Sequence, residues 1–274
     1  GQVETALPEI ETRLTQVESW WRQYRSGQTV PEAPDAEFLA RTFIGALDIA
    51  RQADYAREDW ASALRRIDAI LEVKQALARP AQDIAGDRMN RANVLTKLGR
   101  FPEAKAELEA CLQIFRDDPT RAARTLSSLA DLFATQGDIA QALTLERRAL
   151  ATRETLPDPA ERAISHNNLA IYLQRSGAPS GLAESPRHRL ADLVYCLVAG
   201  LGQHLQTTLR NYAIDFRNAA DAEPAIPGIA ELLADPAFDP LKQWLNLRRV
   251  DAADLQADVD RFLEQARQMA AAWE

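Results

Sequence analysis

A recurring pair of alanine and glycine constrains the fold of this chain more than any other feature of its sequence. The glycines Gly99, Gly137 and Gly177 follow one another at intervals of 38 and 40 residues, each at the end of a helical stretch. An alanine precedes each glycine by seven residues. A period of this size is typical of stacked helical hairpins. The spacing therefore predicts an all-α array that binds other molecules along a surface and seldom does chemistry.

Composition narrows the class of protein further. Hydrophobic residues make up 46% of the chain and charged residues 26%, which is typical of a folded, soluble protein. The net charge of −8 argues against a nucleic-acid partner, since such a surface is normally basic. No stretch approaches the roughly 18 consecutive apolar residues of a membrane-spanning helix, so no membrane partner is predicted.

The two cysteines indicate the cellular compartment. Cys111 and Cys196 fit no CxxC pattern, and both lie in apolar helical stretches. Two buried free thiols are predicted, which favours a reducing, cytoplasmic location. The abundance of arginine and alanine favours a bacterial source. The first residue, Gly1, is typical of a tag-cleavage scar, which suggests that the chain is an excised piece of a larger protein.

Residues 1–34 are predicted to form an amphipathic helix and a proline-containing linker. The secure helix is expected from about Pro8 to Arg25, and the linker carries Pro31 and Pro34. Apolar residues recur at the spacing of a helical seam: Val3, Leu7, Ile10, Leu14, Val17, Trp21 and Tyr24. Packing of this seam on its own domain is favoured, and pairing with a second chain stays an alternative.

Residues 35–182 are predicted to hold the helical pairs. Asp35 is expected to cap a long helix, and a second helix should run from Trp60 to about Leu77. Further pairs are predicted at about 81–116 and 120–155, and another helix from 159 onward. No window shows the period-two alternation of a strand, so essentially no β-structure is expected.

Residues 183–274 are predicted to cover the apolar face of the last repeat as a helical cap. Prolines and glycine in residues 178–186 predict a loop there, and Gly200 and Gly202 predict a helix break. The helices expected around these breaks are Arg187–Ala199, 203–222, 228–234, 238–247 and Ala252–Trp273.

These residues resemble the tetratricopeptide repeat (TPR) family. In that family a small residue at one position of each helix lets the paired helices nest. Ala92, Ala130 and Ala170 match the first-helix position. The period exceeds the family's usual 34 or so residues, as in the longer-helix variant found in kinesin light chains and bacterial multi-repeat proteins. The resemblance implies a right-handed α-α superhelix, a TPR-like solenoid.

The resemblance also implies a concave groove that is lined by polar residues of the first helices. Asparagine amides in such a groove can bond the backbone of an extended peptide. The family's chaperone-tail clamp is absent, because Met89 and Ile164 stand where its cations would be. A merely solvated groove stays an alternative. The predicted groove residues are Asn93, Lys97, Arg124, Ser127, Asp131, Asn167, Gln174 and Arg175.

Catalytic and metal-binding motifs are missing from the sequence. There is no GxxxxGK[ST], HExxH or GxSxG motif and no zinc-type cysteine pairing,. His188 and His204 flank Cys196, but the apolar run around that cysteine predicts an inert buried thiol. His166 is expected to be a packing residue. We therefore predict no catalytic residues, no metal site and no cofactor.

The predicted function is that of a non-enzymatic protein–protein interaction module or scaffold, with a protein or peptide partner in the groove. Two alternatives stay open at this point. One is a regulatory or sensor region of a larger bacterial signalling or effector enzyme. The other is a homo-oligomerisation module.

Overall fold

The computed structural model describes residues 2–31, 35–218 and 225–273, with the side chains of residues 2–7 excepted. Predictions for the side chains of Val3 and Leu7, for Pro34 and for residues 219–222 therefore lie outside what the structure describes. Every regular element within these ranges is helical, which confirms the all-α class. Two compact units are formed, Gly1–Asp118 and Pro119–Glu274. No described helix has the length and hydrophobicity needed to cross a membrane.

The first unit consists of an N-terminal helix followed by two helical hairpins. Asp35 accepts a hydrogen bond from the Phe38 amide at 2.6 Å and begins the second helix, as predicted. Consecutive helices pack against one another. The five helices are α1 (Gln2–Arg25), α2 (Ala36–Ala56), α3 (Trp60–Ala76), α4 (Ala81–Lys97) and α5 (Phe101–Ile114).

The described part of the N-terminal seam packs inside this unit. Leu14, Val17 and Trp21 are buried with apolar residues of α2 and α3. The indole of Trp21 lies 6.4 Å from the ring of Phe43, measured between centroids. This burial confirms the prediction that the seam packs on its own domain.

The first hairpin turns without a glycine. Glu58, between α2 and α3, takes φ +56°, the left-handed conformation that glycine adopts in the later turns,. Asp59 then caps α3, because its carboxylate accepts the Ser62 amide at 3.0 Å. Capping and packing thus form a hairpin where the repeat motif is degenerate.

The second unit contains two further hairpins and a C-terminal group of helices. Asp138 and Asp158 cap α7 and α8 through backbone amides at 3.0 and 2.9 Å. The helices are α6 (Pro119–Gln136), α7 (Ile139–Glu154), α8 (Pro159–Ser176), α9 (Pro179–Ala199), α10 (Gly202–Asn218), α11 (Ile229–Ala234), α12 (Asp239–Leu247) and α13 (Ala252–Ala271).

The loop predicted at residues 178–186 is wrong, because α9 already begins at Pro179 and carries Pro186 within it. Tight packing of α9 on α8 explains the difference. A Cβ on Gly181 would lie 2.9 Å from the Leu173 carbonyl oxygen, so this glycine serves a close helix–helix approach. The hydroxyl of Ser185 donates to the Ala170 carbonyl at 2.9 Å. These contacts outweigh the local preference of proline and glycine for a loop.

The last third of the chain forms a helical group with a core shared by α9, α10 and α13. Helix α10 packs closely against α13, and the shorter α11 and α12 lie between them in sequence. Tyr195 and Trp244 face each other in this core with ring centroids 4.8 Å apart. The predicted break follows α9, where Gly200 takes φ +67°.

Candidate functional site

Small residues at the helix contacts determine which side of each first helix faces outward. Ala92, Ala130 and Ala170 are fully buried, as are Ala104 and Ala142 in the second helices. A larger side chain at these positions would force the partner helix away. Because residues three or four positions apart share a helix face, a polar residue at that spacing from one of these alanines lies near the helix contact, and a polar residue at another spacing lies on another face.

On α4 the two predicted groove residues share one exposed face. Asn93 and Lys97 are four positions apart and exposed, whereas Val94, Leu95 and Thr96 between them are buried. An asparagine amide offers both a donor and an acceptor, and a lysine adds three donors and a positive charge. This face can bond a peptide backbone and attract a carboxylate.

On α6 the predicted residues differ in exposure. The Arg124 side chain is 54% exposed, although its Nε and Nη2 donate to Glu161 Oε1 at 2.7 and 2.5 Å. Ser127 is half-buried, and its hydroxyl donates to Glu146 Oε1 at 3.0 Å. Asp131 is also half-buried. Arg124 is therefore available at the surface, whereas Ser127 belongs to an internal network.

That network centres on a buried arginine. The Nε of Arg153 donates to Glu161 at 3.0 Å, and its Nη1 donates to Glu146 at 3.2 Å. The same Nη1 donates to the hydroxyls of Ser127, at 2.8 Å, and Ser165. Burial raises the pKa of Glu146, and its hydrogen bonds and the arginine charge oppose that shift. The network holds α6, α7 and α8 in one arrangement.

On α8, Asn167 is nearly buried. Its Oδ1 accepts hydrogen bonds from Arg189 Nη1 at 2.9 Å and from Asn211 Nδ2 at 2.8 Å. These two donors come from α9 and α10. Asn167 therefore ties α8 to the helices that follow it.

The other two predicted residues of α8 are exposed but have partners within the unit. Gln174 donates from Nε2 to Asp215 at 3.0 Å. Arg175 donates from Nη2 to the Ala134 carbonyl at 2.6 Å. Both side chains are thus held in place at the surface by α10 and α6 respectively.

A pair of buried histidines also joins α8 to α9. The Nδ1 atoms of His166 and His188 are 2.8 Å apart, and the His166 ring stacks on Tyr195 and Phe238. Burial lowers the pKa of His166 well below 6.5. A hydrogen bond with His188 is the main reason that the pKa of Glu184 falls to about 2. His166 is a packing residue, as predicted.

A polar cluster lies where α9 meets α10. Asp192 is fully buried; its Oδ1 lies 3.0 Å from His204 Nε2, and its Oδ2 accepts the Thr208 hydroxyl at 2.8 Å. The Cys196 thiol lies 3.5 Å from Asp192 Oδ1. Burial raises the pKa of Cys196, and the hydrogen bond with Asp192 raises the pKa of His204. Cys196 is a buried free thiol of low reactivity, as predicted,.

Sequence reasoning missed several members of these clusters, among them Asp192 and Arg153. Asp192 lies one helical turn before Cys196, and the turn at Gly200 returns the chain to the same place; this i,i+4 spacing was the available signal. Nothing in the sequence indicated that Arg153 is buried, because a single arginine in an amphipathic helix is normally solvated.

Comparison with known proteins gives the class of the fold. The family model for the tetratricopeptide repeat matches residues 86–155. The crystal structure of BtubC (BKLC) from P. vanneervenii has a TM-score of 0.55 and 14% identity over 100% of this chain and 92% of that chain. Residues 86–155 therefore match the tetratricopeptide repeat, and the likeness to the solved structure shows an all-α fold of that kind.

A second solved structure is a kinesin-light-chain protein of Podosopora anserina with nearly identical TPR-like repeats. It has a TM-score of 0.47 and 15% identity, over 71% of this chain and 91% of that chain. No curated protein sequence matches the chain.

Proposed function

We propose that this protein is a non-enzymatic interaction module that binds an extended polypeptide segment on the polar faces of its first helices. Repeats of this family generally mediate protein–protein interaction, through surfaces that several helices build together. The observation that carries the proposal is the exposed face of α4, where Asn93 and Lys97 are one turn apart beside buried residues. Such a face presents donors and an acceptor to a peptide backbone without a fixed sequence requirement.

The second unit supplies its own binding residues on α6 and α8. Arg124, Gln174 and Arg175 are exposed, and each is oriented by an internal hydrogen bond. Orientation before binding reduces the entropy that is lost when a ligand binds. Ser127 and Asn167 act behind them as positioning residues, because their polar atoms bond within the fold.

The test uses random peptides displayed on phage and selected on the immobilised chain. Affinities of the recovered peptides, made synthetically, are measured by fluorescence anisotropy. Loss of two polar contacts of about 1 kcal/mol each predicts a roughly tenfold or larger weakening. We expect this for Asn93→Ala combined with Lys97→Ala, or for Arg124→Ala combined with Arg175→Ala.

The matched controls change exposed charges on second helices. Lys105→Ala with Glu109→Ala on α5, and Arg147→Ala on α7, remove surface ion pairs and should leave affinity unchanged. Selection that recovers no binding peptide would overturn the proposal. So would affinities that neither first-helix double variant alters.

A further inference from the structure

The junction of α9 and α10 brings two pairs of side chains together. Asp192 and Cys196 are one turn apart near the end of α9, and His204 and Thr208 are one turn apart at the start of α10. Residues four positions apart on a helix lie on one face. Because Gly200 takes a left-handed conformation, the chain reverses within two residues and the two faces meet.

The donor atoms of this junction have the spacing of a metal site. One ligand atom each from Asp192, Cys196 and His204 lies within 4.8 Å of the other two. The Asp192 Oδ1 atom is 3.0 Å from His204 Nε2 and 3.5 Å from Cys196 Sγ. Tetrahedral zinc with ordinary bond lengths separates neighbouring ligands by roughly 3.3–3.6 Å. Side-chain movements of about 1 Å would bring donor atoms that lie up to 4.8 Å apart to the separation of a coordination shell,.

We propose that Asp192, Cys196 and His204 bind a Zn²⁺ ion that joins α9 to α10. A thiolate, an imidazole and a carboxylate form a donor set that zinc accepts readily. The two positive charges of the ion balance the carboxylate and the thiolate, so the buried site is neutral overall. On binding, the thiol proton of Cys196 passes to solvent, and Nε2 of His204 gives up the proton that it shares with Asp192, which leaves a neutral imidazole with its proton on Nδ1.

The surroundings of the cluster support coordination. Thr208 donates its hydroxyl to Asp192 Oδ2 at 2.8 Å and leaves Oδ1 to face the cysteine and the histidine. A hydrogen bond of this kind orients a ligating carboxylate. The His204 side chain is 25% exposed, so the ion can approach from that side and a water molecule can complete the four ligands.

The first test is metal titration of the untagged full chain after removal of metals with a chelator. Isothermal titration with ZnCl₂ should show one bound ion per chain. Titration with CoCl₂ should give the near-ultraviolet charge-transfer band of a cobalt–thiolate bond, together with the visible bands of tetrahedral cobalt. The chain offers a matched control, since Cys111 is also a buried free thiol but lies on α5.

The variants separate coordination from folding. Cys196→Ser should abolish the thiolate band and Cys111→Ser should keep it. His204→Gln changes a partly exposed residue, so it should fold normally by circular dichroism and lose saturable binding. Thr208→Val removes only the orienting hydrogen bond and should weaken zinc affinity roughly 10- to 100-fold.

Three results would overturn the proposal. One is the absence of saturable zinc binding in the unmodified chain. Another is a cobalt spectrum without a thiolate band, and the third is an unchanged spectrum in Cys196→Ser. Each of these outcomes is independent of peptide binding on the first helices.

Discussion

At the residue scale, the ion network around Arg153 shows what a buried charge contributes. The Arg153 side chain is 2% exposed, and its guanidinium bonds two carboxylates and two hydroxyls. Removing one partner of a buried ion pair leaves the other charge desolvated without compensation. The stability of the second unit should therefore depend strongly on this single side chain.

The substitution Arg153→Met, which keeps most of the side-chain volume, should lower the free energy of unfolding by about 3–5 kcal/mol. Urea denaturation followed by circular dichroism measures the change. Arg147→Met is the control on the same helix, because Arg147 forms an exposed ion pair with Glu184; it should cost less than about 1 kcal/mol. Equal costs for the two variants would contradict the role given to the network.

A second residue-scale prediction concerns acid. The folded-state pKa of His166 is depressed by burial and by the nearby His188 and Arg162, so only the unfolded chain takes up this proton just below pH 6.5. Stability from this group is present above pH 6.5 and is lost as the pH falls towards the folded-state pKa, by about 1.4 kcal/mol per unit. Urea midpoints between pH 7.5 and about pH 5 measure the loss.

The glutamine variant isolates this effect. His166→Gln cannot take up the proton, so its stability should fall less steeply over the same pH range. A profile as steep as that of the unmodified chain would assign the acid sensitivity to other groups.

At the element scale, helix ends are built from local backbone chemistry. Gly99 follows α4 with φ +72°, and an added Cβ there would meet no atom within 4 Å. The cost of any other residue at this position is therefore conformational alone. Gly86 lies inside the same helix, also without a neighbour within 4 Å and with ordinary helical backbone.

These two glycines should respond in opposite directions to alanine. Gly99→Ala should destabilise the first unit by about 1 kcal/mol, because alanine is strained in the left-handed region. Gly86→Ala should stabilise it by about 0.5–1 kcal/mol, because glycine is a poor residue inside a helix. Thermal unfolding by circular dichroism compares the two variants, and a shift of the same sign in both would contradict this reading of the turn.

Most helices could be predicted because their signals are local. Asp35 and Asp59 cap the helices that follow them, and both boundaries agree with the sequence pattern. The first two turns of α9, residues 179–186, could not be predicted, since Gly181 and Pro186 are locally unfavourable and only the contact with α8 compensates them. Contacts between helices can override the conformational preference of the local sequence.

At the scale of the whole molecule, the repeat period covers the helical hairpins but not the last third of the chain. Helix α10 packs on α13, which begins at Ala252, more than thirty residues beyond Asn218, where α10 ends. A pairing at this separation leaves no periodic mark in the sequence. The repeated hairpins therefore follow from the sequence period, whereas the arrangement of the C-terminal helices required a structure.

The candidate site likewise has one part that the sequence predicts and another that only the structure shows. The sequence pattern identifies Asn93 and Lys97 as exposed neighbours on one helix face, and the structure agrees, because this relation depends only on helical periodicity. It could not indicate that Ser127 and Asn167 bond within the fold. Their partners, Arg153 and Arg189, come from other helices.

By itself the sequence determined the all-α class, the repeat period, most helix boundaries and the buried state of both cysteines. These properties depend on the residues within a few turns of one helix, where side-chain spacing and capping decide the outcome. Only the tertiary structure showed which polar residues form hydrogen bonds inside the fold. It also showed that Asp192, Cys196 and His204 meet at one helix junction. Contacts between helices depend on how their surfaces pack, and residue spacing within one helix does not encode that arrangement.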